Sequence, residues 1–200
     1  MNIPLRFINQ SEAASPLNLV IFQKNAVHLN AGTAVAWRVF SQFSQGDVIP
    51  LSYDFYTTIA AGSFGALSPQ QPSPDGSNFT YEAKVSGTQL IAGTPTANSP
   101  VISVTNNLPV GAIDVNVYRG GYLVGLQTGI APEQMAQFVF EPVLFLGLFD
   151  GVQQGSLMAL TPLSASTTMI NLMGLSSTDV VLSGGGQTPL FFTLQNERPM

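Results

Sequence analysis

Charge is scarce in this chain and cysteine is absent. Of its 200 residues, 8% are Asp, Glu, Lys or Arg, against about 25% in an ordinary soluble domain. The six cations stand singly at Arg6, Lys24, Arg38, Lys84, Arg119 and Arg198, in a chain of formal net charge −5. Nucleic-acid binding needs clustered Lys and Arg to displace counterions from phosphates, and this chain has no such cluster. An anionic membrane surface is disfavoured for the same reason. Without cysteine there is no disulfide framework, no thiolate metal site and no cysteine nucleophile, and the redox compartment stays open.

Other chemistry is missing too. A Ser-His-Asp triad would have to use His28, the one histidine, which sits in a turn-rich segment where a solvated loop residue is the better reading. The strained Gly-x-Ser-x-Gly turn that exposes a nucleophilic serine is absent. One histidine and no thiol make a zinc site implausible. Glycoside hydrolysis needs two acids facing each other across a cleft; Asp54 and Asp114 fall on polar faces of separate strands, with nothing to bring them together. Gly184-Gly-Gly-Gln187 lacks the Lys-Ser/Thr of a phosphate loop and reads as a hairpin turn. No catalytic residue, cofactor or metal ligand is assigned, and the chain reads as non-enzymatic.

Long apolar runs are lacking as well. The longest, Val143 to Phe149, is strand-sized and far short of the roughly 20 residues of a membrane-spanning helix. The first ten residues lack the basic start, apolar core and small-residue cleavage site of a signal peptide. Cytoplasmic synthesis is the default expectation, with signal-less export and extracellular assembly left open.

What is present is strand pattern. Ile3, Leu5 and Phe7 alternate with polar or turn-forming neighbours, and Pro4 places that strand at an edge, because proline has no N–H to give a ladder. Val35, Trp37 and Val39 oppose Ala36, Arg38 and Phe40. Ile49, Leu51, Tyr53, Phe55 and Ile59 oppose Ser52, Asp54, Tyr56 and Thr58, the period-2 signature of a half-buried strand. Phe138 to Phe149 is apolar on both faces, as in a central strand, with a bend at Glu141-Pro142. The sharpest local expectation is a hairpin around Gly120-Gly121, whose positive φ suits a two-residue turn; its register would pair Val117 with Val124 and Val115 with Leu126. Ala131 to Ala136, opened by Pro132 and Glu133, is the one helical candidate.

Roughly twelve to fifteen short strands at 8–15-residue spacing predict an all-β fold, a two-sheet antiparallel β-sandwich of jelly-roll type with at most one short helix near 131–136. The chain is taken as a single domain over residues 1–200. Three prolines and Pro74-Asp75-Gly76 mark 68–78 as an exposed loop.

The opening third also resembles a known family. Val20-Ile-Phe-Gln-Lys24, then Val35-Ala-Trp-Arg-Val-Phe40, then Leu51-Ser-Tyr-Asp-Phe55 resembles the RhiA-like family of bacterial β-rich proteins. In that family a Tyr-Gln strand precedes an Ala-Trp strand and an aromatic Asp-Tyr strand. Here the corresponding pairs are Phe22-Gln23, Ala36-Trp37 and Tyr53-Asp54, the last in reversed order. The resemblance implies a bacterial, non-enzymatic protein without a signal peptide, and brings no catalytic residues with it.

Two functional expectations follow. A weakly charged surface has little like-charge repulsion to keep copies apart; it suits a subunit of a shell, filament or inclusion, and equally a neutral soluble monomer. Self-association would use the terminal strands through Ile3, Leu5, Phe7, Phe191, Phe192 and Leu194, with copies of the same chain as partner. The alternative is a carbohydrate- or lipid-binding module that stacks its ligand on Tyr56, Tyr118 and Tyr122.

Overall fold

The computed structural model describes residues 2–28, 33–159 and 167–200, and among them the chain is an all-β sandwich fold, as its alternating pattern demands. Asn30 and Gly32, read as turn residues, and Leu160, read as a strand end, lie outside the described residues. The chain divides into two compact units. Met1–Gln23, Gly32–Phe55 and Pro142–Met200 form the first; Lys24–Ala31 and Tyr56–Glu141 form the second. Two of the crossings fall inside runs that alternation reads as continuous strands: Phe55-Tyr56, and the Glu141-Pro142 pair read as a bend.

The first unit has two sheets. One contains β1 (Asn2–Asn9), β4 (Val48–Asp54), β17 (Leu175–Ser183) and β18 (Phe191–Pro199) in the order β18-β17-β1-β4. The other contains β2 (Leu17–Phe22), β3 (Thr33–Phe43), β14 (Val143–Leu148), β15 (Leu157–Ala159) and β16 (Thr167–Asn171) in the order β15-β3-β2-β14-β16. Ile3, Leu5 and Phe7 point inward from β1, and Leu51 and Tyr53 do so from β4. Trp37 on β3 meets the Tyr53 ring edge-on at a centroid distance of 6.2 Å, so the two sheets pack face to face through this pair. Edge-on geometry places one ring's positive rim against the other's negative face.

The second sheet is covered on its outer face as well, where Val20, Phe22, Ala34, Ala36 and Met158 pack with Val39, Phe145, Phe149 and Val152. Simple alternation would put Val39 beside Trp37. Instead the β2–β3 ladder steps from Ile21↔Arg38 to Phe22↔Ala36, leaving Trp37 as the extra residue of a bulge. A bulge reverses the facing of everything beyond it, which sends Trp37 inward and Val39 to the opposite side.

Pro4 does not make β1 an edge strand. β1 lies between β4 and β17, and the parallel ladder to β17 begins only at Leu5↔Thr178. Pro4 sits one residue before that ladder, so its missing N–H leaves no gap in it.

The second unit also has two sheets. β5 (Thr57–Ser63), β6 (Ala66–Leu67), β11 (Ile113–Arg119) and β12 (Tyr122–Ile130) run β12-β11-β5-β6, with β7 (Gln71–Pro72) also on β5. β8 (Asn78–Lys84), β9 (Gly87–Ala92), β10 (Ile102–Asn106) and β13 (Met135–Phe138) run β13-β10-β8-β9, with β8 and β10 parallel. Side-chain amides complete the hydrogen bonding of β13. Gln137 O accepts from Asn25 Nδ2 at 2.8 Å and from Gln127 Nε2 at 2.6 Å. Asn25 begins the short excursion that holds a 3-10 turn at Ala26–His28, which is how Lys24–Ala31 joins this unit.

The Gly120-Gly121 hairpin forms, with φ of 58° and 81° at its two glycines. Its register departs from the expected one: Val117 pairs with Gly125 and Val115 with Gln127, because a bulge intervenes at Val124. A side chain at Gly125 would stand 2.5 Å from the Phe140 ring, so only glycine lets that ring close over the strand. The 131–136 stretch is a turn running into β13, not a helix; Glu133 has φ of 64°, and its N–H goes to Asn106 O at 2.8 Å. The Pro-rich 68–78 segment is tied back along β5. Ser73 is fully buried, its N–H reaches Thr57 O at 2.9 Å, and Thr57 Oγ1 donates to Ser73 O at 2.7 Å. Proline density there reflects edge pairing through β7, which needs few N–H donors.

Candidate functional site

Where the β1–β17 ladder stops, the first unit has a hollow. Pro4 offers no N–H opposite Ser177, and β17 meets β18 through register shifts on both sides of Ser177. Asn196 on β18 adopts φ of 51°, a conformation that asparagine tolerates better than most residues. These irregularities open a depression of about 240 Å³ lined by Pro4, Arg6, Ser177, Thr178, Asp179, Asn196 and Arg198.

Asp179 is buried at its centre. Arg6 grips it with two parallel bonds, Nε to Oδ1 at 2.7 Å and Nη2 to Oδ2 at 2.5 Å, and Asn196 Nδ2 adds a third at 2.7 Å. A planar guanidinium fork matched to a carboxylate is the strongest geometry such a pair has. The Arg6 hydrogen bonds, against the opposing effect of burial, hold the Asp179 carboxyl below its ordinary range, with help from Asn196 and from the Arg6 and Arg198 charges. The Arg6 guanidinium is pushed further up by the same partner. A carboxylate so held is ionised at neutral pH and poorly suited to exchange a proton there. Thr178 Oγ1 is engaged by Gln195 O at 3.1 Å. Arg198 differs from Arg6: its backbone carbonyl accepts from Ser176 Oγ at 3.2 Å, and its guanidinium makes no hydrogen bond or ion pair among the described residues, acting on Asp179 through its charge alone.

The residues singled out from the sequence fall elsewhere. Ile3, Leu5 and Phe7 are spent on the core and present nothing at the surface. On β18, Phe191 is 47% exposed, and Phe192 and Leu194 are half-buried. The register brings the three tyrosines to one end of a sheet in the second unit, since Arg119 pairs with both Thr57 and Tyr122, and Tyr56 and Tyr118 are the residues preceding Thr57 and Arg119. Tyr118 is anchored by Asn116 Nδ2 at 3.1 Å. Asp54 and Asp114 belong to different units, and Asp114 Oδ1 accepts the Gly129 N–H at 3.0 Å. The hollow was not legible: Arg6 and Asp179 are 173 residues apart, and Arg6 and Arg198 looked like isolated cations. The one available signal was Arg6 sharing a strand face with Pro4.

Among the described residues no group of three or more His, Cys, Asp or Glu could hold a metal ion. No described helix is long and apolar enough to cross a membrane. No family model, no curated protein and no solved structure matches the chain.

Proposed function

We propose that the protein is a non-enzymatic structural subunit that self-associates, pairing the Phe191–Gln195 stretch of β18 with the same stretch of a second copy. The observation that carries this reading is the uneven edge of the first unit. β18 is a nine-residue edge strand whose outer side pairs with no described residue. From Phe191 to Gln195 it runs in unbroken register against Ser183 to Asp179. It has no charge, proline or bulge there, the devices by which proteins blunt an open edge. All of those devices sit in its second half, at Asn196, Glu197, Arg198 and Pro199. Antiparallel pairing of two such edges is self-complementary and closes as a two-fold dimer. It would join two four-stranded sheets into one. The scarce surface charge puts little repulsion in its way. Size-exclusion chromatography with light scattering at several salt concentrations tests it. The wild type should exceed monomer mass and Phe191→Lys should return it to monomer; a strict wild-type monomer at high micromolar concentration would sink the proposal.

A second reading, a carbohydrate- or lipid-binding module, is favoured by the gathering of Tyr56, Tyr118 and Tyr122 at one sheet end, with Tyr56 67% exposed. Aromatic faces beside uncharged polar groups suit sugar rings and headgroups. Glycan-array or liposome binding that disappears in Tyr56→Ala would promote this reading over the first.

A further inference from the structure

We propose that the hollow beside Asp179 is a binding site for a small oxyanion, one carboxylate or phosphate group presented to Arg198 and Arg6. In a chain with six cations and net charge −5, two of the six line one depression of about 240 Å³. Asp179 does not repel an incoming anion strongly, because Arg6 and Asn196 already occupy it with three hydrogen bonds. With Asp179 and Arg6 compensating each other, the lining retains the one positive charge of Arg198. That guanidinium makes no hydrogen bond or ion pair among the described residues, so its fork is open to two coplanar oxygens. Arg6 spends Nε and Nη2 on Asp179 and keeps Nη1 for a third bond. Ser177 supplies a hydroxyl on the same lining. The Asp179 pair therefore acts as a positioning element: it fixes Arg6 and leaves one arginine for the ligand.

The proposal does not depend on association through β18. Its test is a titration of the full chain, followed by NMR of the backbone amides and arginine Nε groups, at constant ionic strength and pH 7. Sodium acetate and inorganic phosphate are the two probes, with sodium chloride as the control. Saturable shifts centred on Ser177, Asn196 and Arg198 are expected with acetate, phosphate or both, and the probe that saturates identifies the class of group. Arg198→Gln should weaken binding about tenfold or more, and Arg198→Lys, which keeps the charge but loses the fork, should fall between. Amides of β2, β3 and β14, in the same unit but on its other sheet, serve as the control that each variant is folded. Shifts that stay linear, that chloride reproduces, or that persist unchanged in Arg198→Gln would overturn the proposal.

Discussion

Among the described residues each unit contains one parallel strand pair, and in each a member of that pair ends on a buried asparagine. Asn9 closes β1 and Asn106 closes β10, at 1% and 0% exposure. Both use Oδ1 to accept the N–H two residues on, Ser11 in one case and Leu108 in the other, at 2.9 and 3.0 Å. Both use Nδ2 to hold a neighbouring loop. Asn9 donates to Phe43 O at 2.8 Å and also accepts from Ser11 Oγ at 2.6 Å; Asn106 donates to Gly111 O and Ile130 O at 2.9 and 2.8 Å. The two anchors make equal numbers of bonds, but the surroundings differ. Phe43 and Ser11 are buried, whereas Gly111 is exposed and Ile130 half-exposed. What an anchor contributes depends on whether water can replace it for the partners it leaves behind.

The largest expected effect is therefore Asn9→Ala. It strands a buried carbonyl, a buried N–H and a buried hydroxyl, and should cost about 3 kcal/mol in urea denaturation. Asn106→Ala removes as many bonds, but water reaches two of the three partners, and about 2 kcal/mol is expected. If Asn106→Ala proves as costly as Asn9→Ala, the number of bonds rather than water access sets the value of such anchors, and the comparison fails.

A smaller contrast lies in the ion pairs. The first unit has Arg6–Asp179, with the acid buried; the second has Lys84–Glu82 on an exposed hairpin, with side chains 47% and 23% exposed. Hydrogen bonding to Arg6 lowers the carboxyl of Asp179 in the folded chain, and hydrogen bonding to Lys84 and Asn107 does the same for Glu82. An acid lowered on folding contributes stability that is fully present above its unfolded value, about 4, and is lost as pH falls through the folded value. Stability measured from pH 7 down to 2 should thus decline below about pH 4 in the wild type. Asp179→Asn should flatten that decline more than Glu82→Gln, because exposed pairs are screened. An acid limb unchanged in Asp179→Asn would place the acid sensitivity elsewhere.

The fold class was open to reading because burial on one face writes itself as alternation. β1, β11 and the Gly120-Gly121 turn were found for that reason. Continuity was harder. The runs through Phe55-Tyr56 and through Glu141-Pro142 keep their apolar character while the chain passes from one unit to the other, since both sides of each crossing serve a core. Bulges were invisible for a related reason: the extra residue at Trp37 or Val124 is itself apolar and buried, so nothing marks the slip. The hollow could not be read at all. It depends on a parallel pairing between the first and the second-last strand, and on side chains that separately look like solvated charges.

The parallel pairing of β1 with β17 also orders events in time. Every residue of the second unit has been synthesised once Glu141 is made, and its sheets can close on pairings confined to that stretch and the short excursion before it. β1 is synthesised well before one of its two neighbours, with Leu5 waiting for Thr178. Long-range closure of this kind is slow and leaves apolar edges uncovered meanwhile. Until β17 arrives, the β1 edge that will meet it stays unpaired, and Ile3, Leu5 and Phe7 lack part of the sheet that buries them.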